Sequence, residues 1–261
     1  MELRDVRRLS GVAIHPYRIV GAEPGEHIGL PSSTVTLIVD LDDGLRLSEP
    51  GRAGTRVFRT CLGGMHAEPV TIHHEGTQIG VAVSLAPSAV RTVFGLPAAQ
   101  LWRTNIDLDD VAPGLARRLY DETGAVPHDE RAGLAAGIIA DAVGPSNGGS
   151  GDPDAERAWR LIQRTRGRIT VSRLVELSGW SARYLTGVFT NEYGIGPKQA
   201  ARIARYEHAR QQLEAGATIV DAAFACGYSD QAHLTREFAA ITGYPPKQFL
   251  AVRAAEFSGA R

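Results

Sequence analysis

The sequence predicts an α+β protein of two parts: a strand-rich N-terminal domain, β-barrel or sandwich-like, with a helical appendix, and an all-α C-terminal domain. Three observations carry this reading. Short runs of β-branched residues fill the first hundred positions and give way to helical periodicity after Pro87. A stretch rich in Gly, Ser and Pro, GPSNGGSGDP from Gly144 to Pro153, then interrupts the chain as a flexible linker. Charge also divides at this point. Residues 1–151 hold 13 Arg and Lys against 18 Asp and Glu, a balance of −5, whereas residues 152–261 hold 15 against 11, a balance of +4. These sum to the net charge of −1. A basic half joined to an acidic half suggests a polyanionic partner for the second half only, a weak signal by itself.

With 261 residues, 43% hydrophobic and 22% charged, the chain has material for two cores and is no disordered polymer. No run approaches the ~18 consecutive apolar residues of a membrane span. MELRDVRRLS is charged throughout and is not read as a secretory signal. Cys61 and Cys226 lie far apart, in no metal-ligand spacing, and are expected to be free thiols in a reducing cytoplasm.

Residues 1–143 are taken as the first domain. Strands are expected at Val35–Leu41, Thr55–Leu62, Val70–His73 and Gln78–Leu85, separated by Gly, Pro or Asp clusters. Helices are expected at Ala89–Phe94, Ala98–Trp102, Gly114–Glu122 and Glu130–Val143. Leu115, Leu119, Leu134, Ile138 and Ile139 give the last two helices more apolar surface than a pair of short helices needs. That surface is open to two readings: pairing with a second copy of the chain, or covering the open end of the β-domain. His66, His73 and His74 with Glu75 invite a metal site, but a strand sends His73 and His74 to opposite faces, so no metal or cofactor is expected.

The C-terminal domain is placed at residues 154–255. A helix-turn-helix needs a compact residue where its two helices cross, a Gly four positions later for the turn, and an apolar residue seating the second helix. LVELSGWSARYLTGVF supplies Val175, Gly179 and Leu185, with Ser181 as the cap of the second helix. Leu185, Val188, Phe189 and Tyr193 then share its inner face, and Arg183, Thr186, Gly187 and Thr190 face away. IVDAAFACGYSDQAHLTREF repeats the pattern with Ala223, Gly227 and Leu234, capped by Asp230 or Ser229. Its outward residues are Ala232, His233, Thr235 and Arg236, with Gln231 at the N-terminal edge. Between the units, Pro197 suits the first position of a helix that stops at Gly216. The 18 residues from Pro197 to Glu214 span roughly 27 Å. With the helix ends added, two recognition helices would sit about 34 Å apart, one turn of B-DNA.

On SARYLTGVFTNEYGIGP, RYEHARQQL and above all IVDAAFACGYSDQAHLTREFAAITGYPPKQF, residues from about Arg168 to Arg253 resemble the DNA-binding domain of the AraC/XylS family of transcription regulators. The resemblance implies two helix-turn-helix units bridged by a linker helix. It also implies double-stranded promoter or operator DNA as partner, read by Arg183, Thr186 and Gly187 in the first unit and by Gln231, Ala232, His233, Thr235 and Arg236 in the second. RNA polymerase, a small-molecule effector and a second copy of the chain are the other partners to consider. Val175, Ala200 and Leu250 depart from the family's usual Ala, aromatic and Arg, and Gly187 stands where a long polar side chain is common. Lacking a side chain, Gly187 cannot read a base edge.

HIGLPSSTVTLIVDL, GGMH at Gly63–His66, GVAVSLAPSAVRTVFGLPAAQL and DLDD resemble a sensor domain often found before this module, which implies regulation by a signal and names no ligand. The competing expectation is an alkyl-transfer DNA-repair enzyme fused to the same module. Cys61, in RTCLGG, lacks the Pro-Cys-His setting such chemistry uses, and Cys226 falls inside the second turn. No catalysis is therefore expected. Arg157, Arg160, Arg164, Arg166 and Arg168 are equally a solvated helix face or contacts to phosphate.

Overall fold

The structure is a computed structural model that describes residues 11–143 and 151–258. Its N-terminal part is built from nine strands: β1 (Val12–Val20), β2 (Gly25–Gly29), β3 (Val35–Asp40), β4 (Leu45–Ser48), β5 (Arg56–Phe58), β6 (Thr60–Gly63), β7 (Val70–His74), β8 (Thr77–Leu85) and β9 (Asn105–Asp107). They form a five-stranded sheet in the order β1-β8-β3-β6-β9 and a four-stranded sheet in the order β2-β7-β4-β5, with every pairing antiparallel.

The period of two along β3 sorts its side chains between two cores. Val35, Leu37 and Val39 are buried with Leu62, Val81 and Val83 on the helix-covered face of the five-stranded sheet. Ile38 faces the other way and joins Leu45, Leu47, Phe58 and Cys61 in a smaller cluster between the sheets. The expected strand Thr55–Leu62 is divided at Arg59: β5 belongs to the four-stranded sheet and β6 to the five-stranded one, so the chain changes sheets there. Strands β1, β2, β4 and β9 lie outside the four expected runs. Pro16 in the middle of β1 argues against a strand, yet β1 is an edge, where a residue without an N–H is tolerated opposite Val81.

Three helices cover the five-stranded sheet: α1 (Pro87–Phe94), α2 (Pro113–Gly124) and α3 (Arg131–Ala142). Ala98–Leu101, expected as a helix, is a single 3₁₀ turn. Leu115, Leu119, Ile138 and Ile139 are buried and Leu134 packs beside them, all in the cluster that contains the sheet's core. Of the two readings of this apolar surface, its burial fits the second, covering the β-domain within the chain.

All the remaining elements are helical: α4 (Pro153–Arg164), α5 (Val171–Ser178), α6 (Ala182–Tyr193), α7 (Pro197–Glu214), α8 (Ile219–Cys226), α9 (Gln231–Thr242) and α10 (Pro246–Ser258). Asp152 caps α4 by accepting from the N–H groups of Asp154 and Ala155, so the last residues of GPSNGGSGDP start this helix. The buried cluster of the N-terminal part continues through Trp159, Leu174, Leu185, Phe189 and Tyr193 to Ala200 and Ile203. A second cluster, from Tyr206 to Phe249, belongs to the remaining helices. Among the described residues, no helix is long and apolar enough to cross a membrane, and no three His, Cys, Asp or Glu side chains gather as a metal site would require.

Candidate nucleic-acid interface

Each of the two units is shaped by capping and a glycine turn. Thr170 caps α5 by accepting from Arg173 N at 3.1 Å, and Thr218 caps α8 by accepting from Asp221 N at 3.1 Å. Gly179 and Gly227 end these helices, both at φ 74°, a left-handed conformation that glycine adopts without a Cβ clash. Ser181 then caps α6 by accepting from Tyr184 N, and Asp230 caps α9 by accepting from His233 N at 2.7 Å. That backbone N–H holds the Asp230 carboxyl below its ordinary pKa.

The inner faces match the residue pattern. Leu185, Phe189 and Tyr193 of α6 are buried, with Trp159 of α4 stacked 5.8 Å from Phe189 and 4.7 Å from Tyr193. Leu234, Phe238 and Ile241 of α9 are buried, and Phe238 meets Tyr206 and Phe249 edge-on at 5.2 and 5.1 Å.

The outer faces differ in detail. On α6, Arg183, Thr186 and Gly187 are exposed, and a Cβ at Gly187 would meet nothing within 4 Å. Gly187 is therefore not required by packing; it leaves a bare place on this face. On α9, Gln231, Ala232 and Arg236 are exposed, whereas His233 and Thr235 are half-buried. His233 is turned into its own unit. Its Nδ1 lies 3.1 Å from Ser229 Oγ, its ring meets Tyr228 edge-on at 5.3 Å, and its Nε2 is 3.9 Å from Glu237. Glu237 also takes Arg202 and Arg205 of α7 at 3.4 and 3.2 Å, which ties α9 to the linker helix.

Residue patterning missed an aromatic pair at the entrance to α6. Trp180 and Tyr184 lie 4.6 Å apart, tilted by 37°, and are 45% and 41% exposed, unusual for rings so large. Their i, i+4 spacing across the Ser181 cap was the available signal.

Residues 174–251 match the family model described as a helix-turn-helix domain. An uncharacterised HTH-type transcriptional regulator of Bacillus subtilis (strain 168) is 41% identical over 66 residues, 25% of this chain and 24% of that protein. An uncharacterised HTH-type transcriptional regulator of Staphylococcus aureus (strain MSSA476) is 35% identical over 82 residues, 31% of this chain and 11% of that protein. The matched region thus spans about a quarter or less of these relatives. Over nearly the whole chain the fold is similar to ToxT from Vibrio cholerae O395, with a TM-score of 0.55 at 11% identity, covering 93% of this chain and 98% of that one. ToxT of strain SCE256 with an unsaturated fatty acid bound gives 0.52 at 11% identity, covering 92% and 94%. The chain therefore carries, across residues 174–251, a helix-turn-helix domain.

Proposed function

We propose that this protein is a sequence-specific DNA-binding transcription regulator whose N-terminal sandwich receives the controlling signal. One observation carries the reading most: two capped recognition helices, α6 and α9, stand on either side of the 18-residue helix α7 in the chain and expose Arg183, Thr186, Gln231 and Arg236. That spacing suits successive major grooves on one side of a duplex. Arg183 and Thr186 are assigned to base or backbone contacts in the first unit, with Gly187 as a close-approach point that reads nothing. Gln231, Ala232 and Arg236 are assigned to base contacts in the second. His233 and Thr235, both half-buried, sit at its margin, and the contacts of His233 with Tyr228 and Ser229 favour a positioning role for it.

The cytoplasm is the proposed site of action, and neither metal nor cofactor is part of the reading. Catalysis is not part of it either. Burial pushes the Cys61 thiol up to about 12 and raises Cys226 as well, the opposite of the activation that alkyl transfer requires. The effector site we favour is the cleft of about 210 Å³ lined by Glu49, Arg52, His66, Glu68 and Arg103. Its charged lining suits a small polar molecule better than the fatty acid seen with ToxT. Contact with RNA polymerase and pairing of two copies on adjacent sites complete the reading, although the helix surface first expected to pair is buried.

Selection from a random duplex pool tests the proposal. Enrichment of a defined motif, lost when both Arg183 and Arg236 become Ala, is the expected result; no enriched motif would refute it.

A further inference from the structure

Between the end of α4, the middle of α7 and the end of α8 lies an open cleft of about 540 Å³. Arg164, Arg166 and Arg168 line it together with Thr165, His208 and Gln212, and no Asp or Glu does. Five other arginines of this half have carboxylate partners. Arg160 has Glu156, Arg173 has Glu176, Arg202 and Arg205 share Glu237, and Arg210 has Glu214. Among the described residues, the three arginines of the cleft take part in no such ion pair.

The backbone here is held in an unusual conformation. Arg166 adopts φ 51°, in the left-handed region that side chains other than glycine, Asn and Asp rarely enter. Gly167 follows at φ 72°, so close to α7 that a Cβ would come 2.0 Å from the Ala201 carbonyl oxygen. This tight turn sets Arg166 and Arg168 on the cleft rather than along a continued helix. Strain of this kind persists where the surroundings impose it, and it concentrates at binding sites. Arg166 Nη1 donates to His208 Nε2 at 2.6 Å, and His208 Nδ1 lies 3.3 Å from Cys226 Sγ. An imidazole accepting from a guanidinium must be neutral. Burial first, then Arg166 and Arg168, lower its pKa accordingly. One N–H of Arg166 is thereby fixed, and its other donors have no carboxylate partner among the described residues.

The position of the cleft identifies its occupant. Arg168 stands two residues before Thr170, the cap of the first unit, and its side chain lies beside Gly227, the turn that leads into α9. The cleft therefore joins the start of one unit to the turn of the other. On the proposed reading, the stretch of duplex between the grooves entered by α6 and α9 would run beside this junction, with its phosphates within reach of the three arginines.

We infer that the Arg164–Arg166–Arg168 cleft binds backbone phosphates of the DNA between the two major-groove contacts. This rests on the proposed function above. The contacts position the duplex without reading sequence and couple the two units through one rigid arginine turn.

The test uses the full chain, a selected operator and an unrelated duplex, titrated from about 50 to 200 mM salt. Arg164→Gln/Arg168→Gln removes two charges and leaves the left-handed Arg166 untouched, so folding is preserved. Each phosphate contact adds about 0.9 to the slope of log affinity against log salt. The double variant should be shallower by roughly 2, and the wild type's advantage should shrink about tenfold across that range. The operator-to-unrelated ratio should stay unchanged, and Arg164→Lys/Arg168→Lys should recover most of the slope. An unchanged slope would overturn the inference, as would a change in sequence preference. Inorganic phosphate serves as a second probe. Saturable binding to the DNA-free wild type, absent in the double variant, would reassign the cleft to a free phosphorylated ligand and overturn it too. Failure of the wild type to prefer the operator would instead refute the proposed function, a separate outcome.

Discussion

The two helix-turn-helix units share a pattern of caps, turn and seat, but the rest of the chain treats them differently. Helix α6 of the first unit is gripped by the N-terminal part. Arg91 Nε and Nη2 donate to Glu192 Oε1 and Oε2 at 3.1 and 2.8 Å, and Trp102 packs where a Cβ on Gly194 would come within 2.5 Å. Its aromatic core is continuous with the core under the five-stranded sheet. The second unit has its own buried cluster, with Leu30 as its N-terminal neighbour. The N-terminal part also reaches the linker helix, where Ser33 N donates to Glu207 Oε1 at 2.8 Å, and His27 lies within electrostatic range of Arg253 on α10. The first unit thus shares a continuous core with the N-terminal part, whereas the second holds a buried cluster of its own that the N-terminal part touches at Leu30.

The largest effects should come from cutting each core in turn. Phe189→Ala and Phe238→Ala each remove a fully buried ring and should each cost about 3–5 kcal/mol. Denaturation followed by Trp102 and Trp159 fluorescence and by circular dichroism separates them. Phe189→Ala should shift every probe together, whereas Phe238→Ala should expose an early helical transition that leaves the tryptophan signals native. Identical behaviour would break the distinction between a shared core and a separate one.

Glu192→Gln comes next. It leaves Arg91 facing a neutral group at a site where the Glu192 side chain is only 9% exposed, and should cost about 1–3 kcal/mol. Glu207→Gln keeps one acceptor for Ser33 and should cost less. Hydrogen exchange on α6 should accelerate in the first variant only. On DNA, Arg236→Ala should lose about 1–3 kcal/mol of operator affinity if it makes a base contact. Arg183→Ala should lose less, since bare Gly187 leaves α6 fewer contacts to anchor it. A gel-shift titration at fixed salt measures both, and a larger loss for Arg183 would reverse the assigned roles. The smallest effect is a gain. Gly187→Ala should stabilise the first unit by about 0.5–1 kcal/mol, because the site is helical, exposed and unobstructed.

How much of this was legible in residues depends on whether the cause is local. Caps and turns are set within four residues, so Ser181, Gly179, Gly227 and Asp230 announced both units, and the 3.6-residue period placed Leu185 and Leu234 inside. Contacts distant in sequence left little trace. Pro16 hid an edge strand because edge position is a property of the sheet. The apolar faces of α2 and α3 looked unpartnered because the sheet they cover is built from residues far upstream. His233 faces outward by its angle on the helix, and its contacts with Tyr228, Ser229 and Glu237, set by the fold of the unit, could not be read from that angle. Arg166 read as one more charge in a run, since its left-handed backbone depends on α7 lying against Gly167.

The central claim is that α6 and α9 enter successive major grooves on one face of a duplex. Guanine methylation protection on the selected operator, with the full chain, tests it most directly. Two protected clusters separated by about one helical turn, 10–10.5 base pairs, are predicted, and binding should fall when five base pairs are inserted between them. A single protected cluster, or affinity indifferent to that insertion, would contradict the account.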